Sequence, residues 1–181
     1  MFDLEKAASS RGWFSSALPR LAEWRGRLIQ RWRHFRFRDL QRGVVLPKPG
    51  ALGDGAWRAL IGRQGERLAA RFLRREGMKI LYRNFRAPGG GEVDLVCREN
   101  MVLVFVEVKT RTSQAYGRPA EAVSKAKQRL IIRGAIEWLR LLGFPEIAFR
   151  FDIVEVTLAR DRAPNINLIQ GAFRMPGDYR Y

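Results

Sequence analysis

The residues of this sequence best placed to do chemistry are Asp94, Glu107 and Lys109. Strand periodicity joins two of them. In Val104-Phe-Val-Glu-Val-Lys109, Val104, Val106 and Val108 share one face, and Phe105, Glu107 and Lys109 share the other. A carboxylate and an ammonium therefore project together from the end of an otherwise apolar strand. The preceding segment, read with the same alternation, sets Glu92, Asp94 and Val96 on one face and Val93, Leu95 and Cys97 on the other. A two-residue hairpin loop at Glu99-Asn100 puts Arg98 opposite Met101, Asp94 opposite Phe105, and Glu92 opposite Glu107. Asp94 and Glu107 are then diagonal neighbours, about 7 Å apart at their Cα atoms. A loop of odd length would carry Asp94 to the opposite face and dissolve the cluster.

Two converging carboxylates repel one another unless a cation lies between them. Mg²⁺ (or Mn²⁺) suits such a pair, because it takes one or two carboxylates and fills its shell with water and substrate phosphate oxygens. The matching chemistry is phosphodiester hydrolysis, in which the ion activates water and stabilises the pentavalent phosphate. Lys109 would orient or deprotonate that water, or neutralise charge in the transition state. The plainer reading of Glu107-x-Lys109 alone is a salt bridge at the edge of a sheet.

Other chemistries lack their residues. Cys97 is the only cysteine, so neither a disulfide nor a cysteine zinc site forms within one chain. His34 is the only histidine, and nothing beside it resembles the nucleophile of a Ser-His-Asp triad. No Gly-x4-Gly-Lys-Ser/Thr segment is present, which excludes a P-loop. Gly89-Gly90-Gly91 follows Pro88 between two strand-like runs and reads as a turn.

The charge balance points to a polyanionic partner. Lys and Arg number 34 against 18 acids, a net charge of +16 over 181 residues, and 28 of the cations are Arg. Such a field draws DNA, RNA or an anionic membrane surface, and Arg favours bidentate contacts with phosphate. A solvated basic surface without a partner is the alternative. The longest apolar run, Met101 to Val106, is too short to span a bilayer, and no secretory signal is visible. A cytoplasmic protein is expected.

The elements that must position the cluster follow from the rest of the pattern. Residues 1–55 form a basic extension that ends in the Pro/Gly-rich stretch from Pro47 to Gly55. Within it Leu21, Trp24, Leu28 and Phe35 recur at helical spacing among Arg25, Arg27, Arg31, Arg33, Arg36 and Arg38, a basic amphipathic helix. Nucleic acid, anionic lipid and the main domain are its three candidate partners. The main domain, 56–181, opens with a helix from Ala56 to Glu76, stopped by Gly77. Strands follow at Ile80–Phe85, Glu92–Arg98 and Val102–Thr110, then a helix from Pro119 to Leu142, then strands at Ala148–Thr157 and Ile166–Ile169. The order αβββαββ describes an α/β fold, a mixed sheet flanked by helices with Val102–Val106 central. Glu66 falls at the edge of the first helix's apolar side, among Gly62, Ala69, Ala70 and Leu73, where small neighbours allow close approach to the sheet. A solvated helical Glu is the alternative. Lys127 lies within the apolar stripe of Val123, Leu130, Ile131 and Trp138, so it either snorkels or reaches a phosphate or carboxylate. Gln128 is a further polar contact, Arg111 a phosphate clamp past the strand end, and Tyr116 a ring for base stacking or local packing.

Gly62-x-x-Gly65-Glu66-x-x-Ala69, Asn84-Phe-Arg, Gly91-Glu-Val-Asp-Leu95, Phe105-Val-Glu-Val-Lys-Thr-Arg111 and Lys127-Gln128 occur in the order seen in the YraN family of uncharacterised bacterial proteins. The resemblance covers roughly residues 60–173. That family resembles the PD-(D/E)xK restriction-endonuclease-like superfamily, near the archaeal Holliday-junction resolvases. The resemblance implies a restriction-endonuclease-like fold and a Mg²⁺-dependent endonuclease acting on DNA, with branched DNA in repair or recombination as the substrate class. It assigns Asp94, Glu107 and Lys109 to the catalytic motif, adds Glu66 as an extra acidic ligand, and completes the metal shell with the Val108 carbonyl. It also makes a homodimer an expected state, since resolvase-like relatives often act as dimers. Val93 stands where the motif has Pro, and residues 1–55 lie outside the family pattern. Two readings compete with the nuclease: a noncatalytic nucleic-acid-binding protein of the same fold, and a peripheral membrane or scaffold protein held by the helix at 18–40.

Overall fold

A computed structural model describes residues 32–36, 46–47, 53–112, 123–160 and 163–177. Its elements are β1 (Trp32–Arg36), α1 (Asp54–Arg75), β2 (Lys79–Ala87), β3 (Gly91–Glu99), β4 (Val102–Thr112), α2 (Lys125–Leu141), β5 (Phe149–Leu158) and β6 (Asn165–Phe173). From α1 onward the order is the expected αβββαββ. The strands form one mixed sheet in the order β1-β6-β5-β4-β3-β2. β4 and β5 run parallel, with α2 in the connection between them, and every other neighbouring pair is antiparallel. A parallel pair needs such a crossover, whereas the Asn100-Met101 turn suffices between β3 and β4.

The alternation read from β4 divides the core as expected. Val104 and Val106 pack on the α1 side with Ile61, Leu68, Phe72 and Leu73. Leu103 and Phe105 pack on the α2 side with Ile131, Ile132, Ala135 and Trp138. Each helix therefore buries one apolar stripe against one face of the same sheet. α1 ends at Gly77, whose φ of +87° suits glycine and lets Met78 N–H reach the Leu73 carbonyl at 2.9 Å. The glycine triplet does turn the chain: Gly90 takes φ +79° and its N–H bonds the Ala87 carbonyl.

Three expectations are corrected. Residues 32–36, read as part of an amphipathic helix, form β1 antiparallel to β6. The open edge of β6 offers backbone partners that helical spacing alone cannot register, and Trp-Arg-His-Phe-Arg holds no residue that bars a strand. The rest of that helix, most of the Pro47–Gly55 stretch, Tyr116 and Pro119 lie outside the described residues. The second helix begins at Lys125 and not at Pro119, because Ser124 is its N-cap, accepting the Lys127 N–H at 3.3 Å. The alternation in β3 is interrupted: Val93 packs on the α2 side with Val96, while Leu95 and Cys97 pack on the α1 side. Asp94 sits at that break. Among the described residues, no helix is long and apolar enough to cross a membrane.

Candidate active site

The break in β3 is where the sheet forks. Pairing between β3 and β4 runs from Glu99↔Val102 to Leu95↔Val106 and stops. This register differs by two residues from the one expected. The turn is Asn100-Met101, with Asn100 at φ +52°, a conformation Asn tolerates better than most side chains. A shift of two preserves the faces, so Asp94 and Glu107 stay together. It also brings them closer: each stands one step past the last pair, at the mouth of the fork, where a diagonal arrangement was expected. With β3 gone, the Val108 N–H donates instead to Asp94 Oδ2 at 2.8 Å. The carboxylate takes the place of a ladder partner.

The mouth is partly shielded from solvent. The Glu107 side chain is 12% exposed, and its Oε2 is buried with no hydrogen-bond partner. Burial, then the negative charge of Asp94, pushes the Glu107 carboxyl up to about 8. Burial also raises Asp94, against the opposing Val108 N–H and the charge of Lys127. On the α2 side, Lys127 Nζ donates to Glu92 Oε1 and lies 3.3 Å from Glu107 Oε1. Arg86 holds the other Glu92 oxygen at 2.7 Å. The Lys127 hydrogen bond keeps Glu92 below the usual carboxylate range. Burial alone would lower the Lys127 ammonium, but Glu92, Glu107 and Asp94 together raise it.

On the α1 side, the close approach of helix to sheet depends on Gly65. A Cβ there would meet Thr110 Oγ1 at 1.7 Å. That contact sets the next residue, Glu66, beside the fork. Asn84 hydrogen-bonds the Glu66 carboxylate from β2, and burial followed by the Asp94 charge raises its pKa. Asn84 has φ +52° and lies between the pairs Arg83↔Leu95 and Phe85↔Val93, level with Asp94. A groove of about 430 Å³ runs here, lined by Trp57, Arg58, Glu66, Val108 and Arg111 among others.

The sequence-derived candidates are thus placed as follows. Asp94, Glu107 and Lys127 meet at the fork, with Glu66 near Asp94. Lys109 follows Glu107 by two residues on the same strand, at the register position of Glu155 in β5. Arg111 lines the α1-side groove. Gln128 turns back to its own helix start and donates to the Val123 carbonyl at 2.8 Å. Sequence reasoning gave no role to Asn84 or to Glu92. An Asn inside a strand run, at a position that takes positive φ, was the available sign of the first. A Glu placed opposite Glu107 was the sign of the second.

The donor set fits a hard divalent cation. Asp94 and Glu107 offer carboxylate oxygens, Glu66 lies near enough to feel the Asp94 charge, and the Glu107 Oε2 lacks the partner that a buried oxygen needs. The Val108 N–H points into the fork, and in an extended strand the carbonyl of the same residue points the same way. Among the described residues, no three His, Cys, Asp or Glu side chains are gathered so closely that they could hold a metal ion by themselves. Mg²⁺ asks for only one or two.

Comparison with known proteins bears on the same segment. A family model described as "Uncharacterised protein family UPF0102" matches residues 65–156, from Gly65 to Val156. A UPF0102 protein of Anaeromyxobacter dehalogenans is 48% identical over 124 residues, which is 68% of this chain and 91% of the relative. UPF0102 protein GSU0650 of Geobacter sulfurreducens is 43% identical over 125 residues, 68% of this chain and 97% of the relative. A Rhodococcus jostii relative, UPF0102 protein RHA1_ro06551, is 48% identical over 113 residues, 62% of this chain and 95% of the relative.

Proposed function

This chain belongs to the uncharacterised protein family UPF0102, the YraN family, and we propose that it acts there as a metal-dependent endonuclease hydrolysing phosphodiester bonds of DNA. One observation carries the reading: the half-buried Asp94–Glu107 pair at the mouth of the β3/β4 fork, with a buried Glu107 oxygen that has no partner. Bound Mg²⁺ or Mn²⁺ would offset that repulsion and supply the charge that activates water and stabilises a phosphorane-like transition state. The chain's own groups do the rest. Asp94 and Glu107 would hold the ion, with Glu66 and the Val108 carbonyl as further oxygen donors. Lys109 orients the attacking water and neutralises charge at the phosphate. Arg58 and Arg111, along the α1-side groove, bind flanking phosphates. The net charge of +16 supports a polyanionic substrate, and branched DNA met by a homodimer is the finer form of the proposal.

The test is incubation of the purified protein with branched, single-stranded and duplex DNA, in Mg²⁺ or Mn²⁺ and in EDTA. Metal-dependent cleavage that Asp94→Asn and Glu107→Gln abolish, by 10²-fold or more, is the expected result. Lys109→Ala should abolish cleavage yet spare Mn²⁺ binding. DNA binding without cleavage under every condition would leave a noncatalytic nucleic-acid-binding protein of the same fold.

A further inference from the structure

Lys127 occupies a curious place for a surface-seeking side chain. Its ammonium lies between two carboxylates with different surroundings. Glu107 is 12% exposed, sits against Asp94 and has one oxygen unpartnered. Glu92 is 28% exposed and carries a second cation, Arg86, on its other oxygen. Lys127 itself is fixed at its root, because its backbone N–H is tied to the Ser124 cap and its helix packs across β3, with Gly134 close against Gly91 and Glu92. At the end of its four-carbon stem the ammonium donates to Glu92 Oε1 and stands 3.3 Å from Glu107 Oε1, shared between the two carboxylates.

We infer that Lys127 is a built-in counter-ion for the Asp94–Glu107 pair in the metal-free protein, and that Glu92, which it already hydrogen-bonds, is the anchor that keeps the ammonium when a divalent cation takes Glu107. This inference rests on the nuclease reading and adds a positioning role that the reading does not contain. Two ionised carboxylates at the mouth of the fork repel each other. The ammonium beside Glu107 offsets that repulsion in the metal-free protein as the pair ionises. A cation arriving at Glu107 and Asp94 meets the same ammonium as a like charge about 3–4 Å from its ligand, where such a repulsion is strong. The site therefore favours a cation only if the ammonium has another carboxylate to hold. Glu92 supplies it, and Arg86 holds Glu92 in place from the far side. The two functions are opposed: Lys127 weakens metal binding, and Glu92 relieves that weakening without touching the metal.

The opposition is testable by titrating Mn²⁺ calorimetrically into the full-length protein without DNA, so that activity plays no part. Lys127→Met keeps the stem and removes the charge, and should tighten Mn²⁺ about tenfold. Lys127→Gln serves the same purpose should Met disturb folding. Glu92→Gln should weaken Mn²⁺ several-fold, since the ammonium, released from Glu92, then turns to Glu107. In the Lys127→Met background Glu92→Gln should cost clearly less affinity than it does in wild type, because Glu92 acts chiefly through Lys127 and only secondarily by its own charge near Asp94; this non-additivity is what a merely structural role would not produce. Mn²⁺ binding that depends on Asp94 but is unchanged or weakened by both Lys127 variants overturns the inference and leaves the site standing. Equal Mn²⁺ weakening by Glu92→Gln in the presence and absence of Lys127 also overturns it. Mn²⁺ binding absent from wild type and all variants, or indifferent to Asp94→Asn, overturns both readings together.

Discussion

Glu107 is the residue on which the proposed chemistry turns, and its environment gives a pH signature. Burial, then the charge of Asp94, lifts its carboxyl from the ordinary value of 4.5 to about 8. Two opposite consequences follow. A folded-state pKa above the unfolded one means that the fold prefers the protonated group, so this contribution to stability is complete below pH 4.5 and is lost as pH rises through about 8. A metal ion, by contrast, competes with that proton. Mn²⁺ affinity should rise by up to about tenfold per pH unit until the carboxyl is ionised, then level off above about pH 8. The metal-free protein in EDTA should therefore lose thermal stability over the range in which Mn²⁺ binds more tightly, and Glu107→Gln should flatten both responses. Calorimetric Mn²⁺ affinities at several pH values, paired with melting curves, check this; a pH-independent affinity would remove Glu107 from the ligand set. The residue types were legible in the sequence because strand alternation depends only on parity. The distances were not, because they depend on which two residues turn. Asn100-Met101 in place of Glu99-Asn100 moved Asp94 from a diagonal of Glu107 to the facing position.

Elements were legible wherever one local signal decided them. Gly77 ended α1, the glycine triplet turned the chain, and Val104, Val106 and Val108 announced one face of β4. Features set by contacts between distant elements were not. β1 exists because β6 has an edge to cover, and the break at Asp94 exists because β3 leaves β4 while Asn84 of β2 takes positive φ alongside it. The same distinction separates two glycines of one motif on α1. Both cost the isolated helix the backbone entropy that Ala would save. At Gly62 an added Cβ meets nothing within 4 Å, whereas at Gly65 it meets Thr110 Cβ at 2.8 Å as well as Oγ1 at 1.7 Å. Gly62→Ala should therefore stabilise the protein by up to about 1 kcal/mol. Gly65→Ala should destabilise it by about 1–3 kcal/mol, because α1 must lift from β4. That lift should also move Glu66, so Gly65→Ala should weaken Mn²⁺ as well as lower the melting temperature. Chemical denaturation of the two variants beside wild type measures the signs, and two equal shifts would mean that Thr110 can turn away freely.

Across the whole molecule the dominant fact is charge. The net +16 is not confined to one segment: residues 1–55 carry 11 cations and 5 acids, and residues 56–181 carry 23 and 13. On the proposed function, this surface and the fork should make separable contributions to DNA binding. Phosphate contacts release condensed counter-ions and carry a steep salt dependence, while the carboxylates at the fork repel the same phosphates when no metal is bound. If roughly 6–10 phosphates are neutralised, affinity should fall by about 10³–10⁵ between roughly 50 and 200 mM salt. Removing one groove cation, as in Arg111→Gln, should lower the log–log slope by about one whatever the DNA sequence. Asp94→Asn in EDTA should leave that slope unchanged and hold or raise the affinity, because a negative charge facing the backbone has gone. Fluorescence anisotropy with labelled DNA across a salt series reads all of these at once. A flat salt response would mean that the basic surface does not track phosphates. A slope altered by Asp94→Asn would mean that the fork, and not the arginines, sets how many phosphates are engaged.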